Sequence, residues 1–276
     1  MTIFDLDFMR YALVAAVMVG LTAPAVGTFI VQRRLALLGD GIGHVALTGV
    51  ALGFLTGAAP VATAVVVAAL GAVAIEMVRA RGKTSGDVAL ALLFYGGLAG
   101  GVMIIYLTPG ESTASLNSYL FGAITSVDST DLWVIAGLAV AVLALLAVFG
   151  RELFVLCQDE EVARASGLPV RFLGLLIAVI ASVTVVVAMR AVGLLLVSAL
   201  MVVPVATSQQ LTRSFRTTMA SSMVFGVLAT VGGLTSSFYL DVPSGATIVL
   251  LALAGFAVAL GIGRFVRRSR TGESTA

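Results

Sequence analysis

Apolar runs long enough to cross a bilayer alternate along this chain with short polar or basic breaks. A helix needs about 20 apolar residues to traverse hydrocarbon. The runs predict membrane helices near residues 11–31, 41–57, 61–78, 88–107, 132–149, 172–189, 191–207, 219–238 and 246–263. Nine is the literal count. Eight is the alternative, if the segment around Pro204 is broken or one run re-enters without crossing. Pro60, Pro109 and Pro243 mark short turns between some of the runs. The expected fold is all-α: a polytopic membrane bundle of eight to nine helices, one domain over 1–276, with spans inside about 8–264. The end of the chain, from about 268 to 276, is expected to be disordered.

Composition agrees with the pattern. The chain is 60% hydrophobic and 11% charged, with a mean hydropathy of +1.13, whereas soluble domains carry about a quarter charged residues. Net charge is +2, too small to point to a nucleic acid. The N-terminus, MTIFDLDFM, lacks the basic leader of a cleaved signal peptide. A single cysteine, Cys157, excludes an internal disulfide and a cysteine zinc cluster. It is expected to be inert, in a loop on the basic side.

The basic residues give sidedness. Of the 16 Lys and Arg, all but Arg10 and Arg190 fall on one common side of the predicted spans. The excess of Lys and Arg on cytoplasmic loops makes that side cytoplasmic, so the C-terminus is expected inside. With nine spans the N-terminus lies outside.

Two polar residues inside a span change the picture. His44 is the only histidine, and Asp40 stands four positions earlier. On a helix they share one face, about 40° apart. A carboxylate and an imidazole in hydrocarbon are costly unless they line a cavity or bind something. Together they form an oxygen–nitrogen pair suited to a divalent metal; the plain alternative is a hydrogen bond that kinks or joins helices. Two side chains cannot fill a tetrahedral zinc shell.

Other features read more simply. Gly39/Gly43, Gly49/Gly53/Gly57 and the pairs Gly96/Gly100 and Gly97/Gly101 repeat every four residues, a spacing that lets backbones approach within a bundle. Glu76 is expected to pair with Arg79 at i+3 near a span end. The stretch Arg81-Gly82-Lys83-Thr84 is not a phosphate loop, because Met77 stands where the first glycine belongs. No serine or threonine has an acid–base partner, which argues against a hydrolase.

The longest basic-side connection is expected to run from Arg151 to Arg171. Within it Asp159, Glu160 and Glu161 open a short helix, acids being favoured in a first turn. Val162, Ala163 and Ala165 give it an apolar strip, and Gly167 and Pro169 end it. Such a helix can dock into a partner's groove or merely reconnect two spans.

Five segments carry a family resemblance: FIVQRRLALLGDGIGHVALTGVALG (29–53), SYLFGAITSVDSTDLW (118–133), DEEVARASGLPV (159–170), AVGLLLVSALMVVPVATSQQLTRSF (191–215) and DVPSGATIVLL (241–251). From about Phe8 to Arg264 the chain resembles the permease subunit of zinc/manganese-type ABC importers. The first and fourth segments, in this order, are the most specific. Gly43 departs from the family, which commonly has serine before the histidine, and so removes a hydroxyl contact.

The resemblance implies two permease copies in the lipid membrane, two cytoplasmic ATPase subunits below and an extracytoplasmic metal-binding protein above. Asp40 and His44 fall on the family's GDxIxHA motif as its metal-contacting residues. Asp159, Glu160, Glu161, Val162, Ala163, Arg164, Ala165, Ser166 and Gly167 fall on the coupling helix that enters the ATPase cleft. No cofactor is bound permanently, and the metal is the substrate. Imidazole plus carboxylate admits zinc and manganese alike; the SALMVVPVAT and DEEVARASGLP wording is closer to zinc permeases, with manganese or iron as alternatives. An ion-coupled secondary carrier could also use an intramembrane Asp–His pair, but the docking-type helix has no task there.

Overall fold

A computed structural model describes residues 7–80, 86–108, 120, 122 and 129–272. Arg81–Thr84 and most of 118–133 lie outside the described residues. Among the described residues ten helices follow one another: α1 Asp7–Gln32, α2 Leu38–Thr56, α3 Pro60–Ala80, α4 Gly86–Tyr106, α5 Ser129–Gln158, α6 Glu160–Ala165, α7 Val170–Val192, α8 Leu194–Leu211, α9 Phe215–Leu240 and α10 Ser244–Gly272. Among the described residues the architecture is all-helical, and eight helices are long and apolar enough to cross a membrane. The exception besides α6 is α8, whose apolar stretch Leu196–Leu211 is shorter. Pro204 lies within α8 without breaking it.

Helices α1, α2 and α7 are mostly buried, while α3, α4, α5, α9 and α10 bury only a minority of their residues. The exposed faces carry Leu92, Val102, Val140 and Leu250. Apolar belts of this extent would be a liability in water and fit a lipid surround.

Small residues set the closest crossings. A Cβ on Gly27 would enter the backbone of Met201, and one on Gly226 would enter that of Gly20, so α1 meets α8 and α9 almost backbone to backbone. Gly193 alone separates α7 from α8, at φ +94°, a conformation costly to any residue with a Cβ.

Two expectations about the basic side are corrected. Residues 151–158 are the last turns of α5, not loop. RELFVLCQ contains no breaker, and Leu153, Leu156 and Cys157 continue the buried face of the helix. Cys157 is therefore packed against the bundle, its thiol donating to the Phe29 carbonyl at 3.6 Å. Likewise α10 runs on through residues 268–272, because nothing in RFVRRSRT stops a helix before Gly272.

Candidate functional site

Helix α2 carries Asp40 and His44, and its start is set by the link before it. Helix α1 ends in a Schellman turn, with Leu35 N–H donating to Ile30 O at 3.0 Å and Arg34 N–H to Val31 O at 3.0 Å. Arg34 occupies the left-handed position, φ 59°, where glycine is usual. The Leu38 N–H donates to Leu35 O at 2.8 Å, and Asp40 follows in the first turn of α2. An acid there faces the positive end of the helix dipole.

Asp40 is half-buried and His44 is 7% exposed. The imidazole packs edge-to-face on Phe94 of α4, centroids 4.3 Å apart at 71°. Its Nδ1 is buried with no hydrogen-bond partner among the described residues. Glycines admit the neighbours: Gly43 is where a Cβ would lie 3.1 Å from Leu194 of α8, and Gly39 where one would lie 3.3 Å from Met201. From α4, a Cβ on Gly97 would lie 2.7 Å from Val45 N. Thr48 joins the same two helices, donating to Gly97 O at 2.6 Å. These glycines serve packing within the bundle; Gly96 meets nothing within 4 Å.

The arrangement offers an ion one carboxylate and one imidazole per chain. Among the described residues no group of three or more His, Cys, Asp or Glu is close enough to hold a metal. An unpartnered buried nitrogen carries a desolvation cost of about 1–3 kcal/mol, which an incoming cation would relieve. That cost argues against the kink or inter-helix hydrogen bond as the histidine's purpose.

At the basic end lies a second polar group. Arg79 holds Glu76 with two hydrogen bonds, Nε to Oε2 at 2.9 Å and Nη2 to Oε1 at 2.7 Å, the i+3 pair expected from the spacing. Arg33 Nη2 stands 3.7 Å from Glu76 Oε1 and 3.8 Å from Glu160 Oε2. Burial, and then Arg79, lower the pKa of Arg33 from its ordinary value; Glu76 and Glu160 act the other way. Arg164 closes the chain on Glu160 Oε1 at 3.2 Å. The group borders a cavity of about 930 Å³ between α3, α6 and the start of α7, with Arg171 on its rim.

Helix α6 forms where expected. Asp159 caps it, Oδ1 accepting from Glu161 N–H at 2.8 Å and Val162 N–H at 3.1 Å. Gly167, at φ +77°, ends it, the Leu168 N–H reaching Ala163 O. The apolar strip is narrower than expected: Ala163 is buried, while Val162 and Ala165 are exposed. A six-residue helix makes fewer than two turns, so only one residue faces the bundle.

Residues 5–262 match the model of the ABC 3 transport family. The chain belongs to the ABC 3 transport family. It is thus a multi-pass membrane protein and a permease component of ABC metal transporters. The manganese transport system membrane protein MntC of Halalkalibacterium halodurans is 35% identical over 92% of this chain and 86% of its own. The manganese import system permease protein ScaB of Streptococcus gordonii is 32% identical over 96% and 95%. The solved structure of PsaBC from Streptococcus pneumoniae in complex with Fab superposes with a TM-score of 0.84 at 34% identity, over 93% of this chain and 92% of that one. The preference for zinc finds no support in these names.

Sequence reasoning did not find Arg33 as a partner of Glu76 and Glu160, nor Phe94 as the wall of His44. The partners sit on helices far apart in the chain, and no local spacing signals them.

Proposed function

We propose that this permease passes manganese inward across the cell membrane, with Asp40 and His44 as the groups the ion meets. The carrying observation is the buried, unpartnered His44 Nδ1 one turn from a half-buried carboxylate. Relatives named as manganese systems support the metal, and so does the donor set. Manganese takes oxygen and nitrogen donors and completes an open shell with water. Two copies paired with α2 helices facing would present two carboxylates and two imidazoles, weakly enough for release. Zinc, which the same donors accept, is the second reading; iron is a third.

The chain works with ATPase subunits that hydrolyse ATP on the cytoplasmic side and with an extracytoplasmic metal-binding protein. Residues Asp159–Gly167 meet the ATPase in this reading, which the exposure of Val162 and Ala165 supports, and the basic end and the C-terminus are then cytoplasmic, in keeping with the excess of Lys and Arg there.

The test is uptake of manganese and of zinc by cells expressing wild type, Asp40→Ala or His44→Ala, with titration of each purified variant. Loss of manganese uptake in both variants is expected. Unchanged uptake in both would defeat the reading, and loss of zinc uptake alone would turn it to zinc.

A further inference from the structure

Arg33 is built for a task that the pathway itself does not use. Its side chain is only 5% exposed, and Nη1 is buried with no hydrogen-bond partner among the described residues. Nη2 is shared between two acids on different elements, at 3.7 Å from Glu76 of α3 and 3.8 Å from Glu160 of α6. Both distances are longer than an ordinary hydrogen bond, so these two contacts are chiefly ionic. Glu76 cannot follow it. That carboxylate is clamped by Arg79, and Gly174 of α7 lies so close that a Cβ there would enter Glu76 Oε1. Glu160, by contrast, has a side chain 44% exposed on a six-residue helix. One acid is fixed and the other can move.

The backbone leaving Arg33 is short and stiff. Its own N–H donates to Phe29 O at 3.1 Å; Leu35 and Leu38 make the further bonds of the Schellman turn and the entry to α2. Asp40 is then only seven residues from Arg33, and His44 one helical turn beyond. Whatever displaces the Arg33 guanidinium therefore acts on the beginning of the helix that carries both donors.

We infer that Arg33 is a positioning residue that ties helix α6 to the start of α2, by dividing one guanidinium between Glu160 and Glu76. When α6 is pushed, Glu160 moves relative to the fixed Glu76, the guanidinium follows, and the link 33–37 re-aims Asp40 and His44. The inference rests on the proposed function, in which α6 meets the ATPase and Asp40 and His44 meet the ion.

The experiment reconstitutes the complete transporter in vesicles and measures metal ions moved per ATP hydrolysed. In Arg33→Gln this ratio falls at least tenfold, and Arg33→Lys recovers part of it, since lysine keeps the charge but not the fork. Glu160→Gln lowers the same ratio, and the double variant Arg33→Gln/Glu160→Gln is no worse than the poorer single one, as a shared interaction requires. If Arg33→Gln fails to assemble, Arg33→Lys and Glu160→Gln carry the test. A merely structural role would lower transport and hydrolysis together and leave the ratio unchanged; that result overturns the inference, as does a double variant whose losses multiply. Failure of the underlying pathway reading is separately visible, as unchanged uptake in Asp40→Ala and His44→Ala.

Discussion

Gly97→Ala tests the site through its wall, without touching either donor. A Cβ at Gly97 would stand 2.7 Å from Val45 N and 2.8 Å from the His44 carbonyl carbon. Ordinary contact begins at 3.4 Å, so α2 and α4 must part by 3.4 less 2.7, or 0.7 Å. Both atoms are backbone, and no flexible side chain can swing away. Overpacking of this kind costs about 1–3 kcal/mol. The Thr48 hydrogen bond to Gly97 O, 2.6 Å long, lengthens with the gap and adds up to about 1 kcal/mol. About 2 kcal/mol set against the competent geometry is roughly a 30-fold loss, at 1.4 kcal/mol per tenfold.

The control is the adjacent residue. Gly96 meets nothing within 4 Å, so Gly96→Ala changes the same helix by the same methyl group and is expected to leave uptake within about twofold, since alanine favours a helix by about 0.5–1 kcal/mol over glycine. Manganese uptake at matched expression, with thermal unfolding of each purified variant, reads both. Equal uptake in the Gly97 and Gly96 variants would refute the claim that close approach of α4 sets the position of His44.

Three further outcomes follow from single positions. Arg34→Gly relieves the left-handed φ of 59°, worth about 1–2 kcal/mol less about 0.5–1 kcal/mol of glycine entropy; thermal unfolding should move up slightly, and a drop would contradict it. Asp159→Ala removes the acceptor that caps Glu161 and Val162, costing α6 about 1 kcal/mol; co-purification with the ATPase subunit should weaken, and unimpaired recovery would count against α6 as the contact. Cys157, 7% exposed and bonded to Phe29 O, should resist a membrane-permeant maleimide in the native protein and react after denaturation; fast native labelling would show that α5 does not pack as described.

Much of the fold was legible because lipid imposes a length and a polarity that few other structures share. Span positions followed from apolar runs, and Glu76–Arg79 and the Asp159 cap followed from spacing within one helix. Helix ends were not legible where helices outlast the membrane. Hydropathy marks where hydrocarbon stops, whereas a helix stops at a breaker, so RELFVLCQ read as loop and the residues from about 268 as tail. The Asp40–His44 pair stood out as isolated polarity, but its surroundings did not. Phe94 and Leu194 reach His44 and Gly43 only through tertiary packing, and Arg33 meets Glu160 across nearly half the chain.

Two donors per chain also bear on how such a permease could choose its metal. For most nitrogen–oxygen sites affinity rises from manganese to zinc, so a site that passes manganese cannot select it by binding strength. Geometry is the remaining lever. Zinc favours a closed four-ligand shell, whereas manganese accepts six donors with several waters. The His44 ring packs on Phe94, Leu194 lies close to the neighbouring Gly43, and no group of three or more His, Cys, Asp or Glu that could hold an ion is present among the described residues. One chain therefore offers two such donors, and on the proposed reading a second copy or water would supply the rest. On the proposed reading such a shell suits passage better than storage, and the selection of manganese over zinc would fall to the partner that delivers the ion.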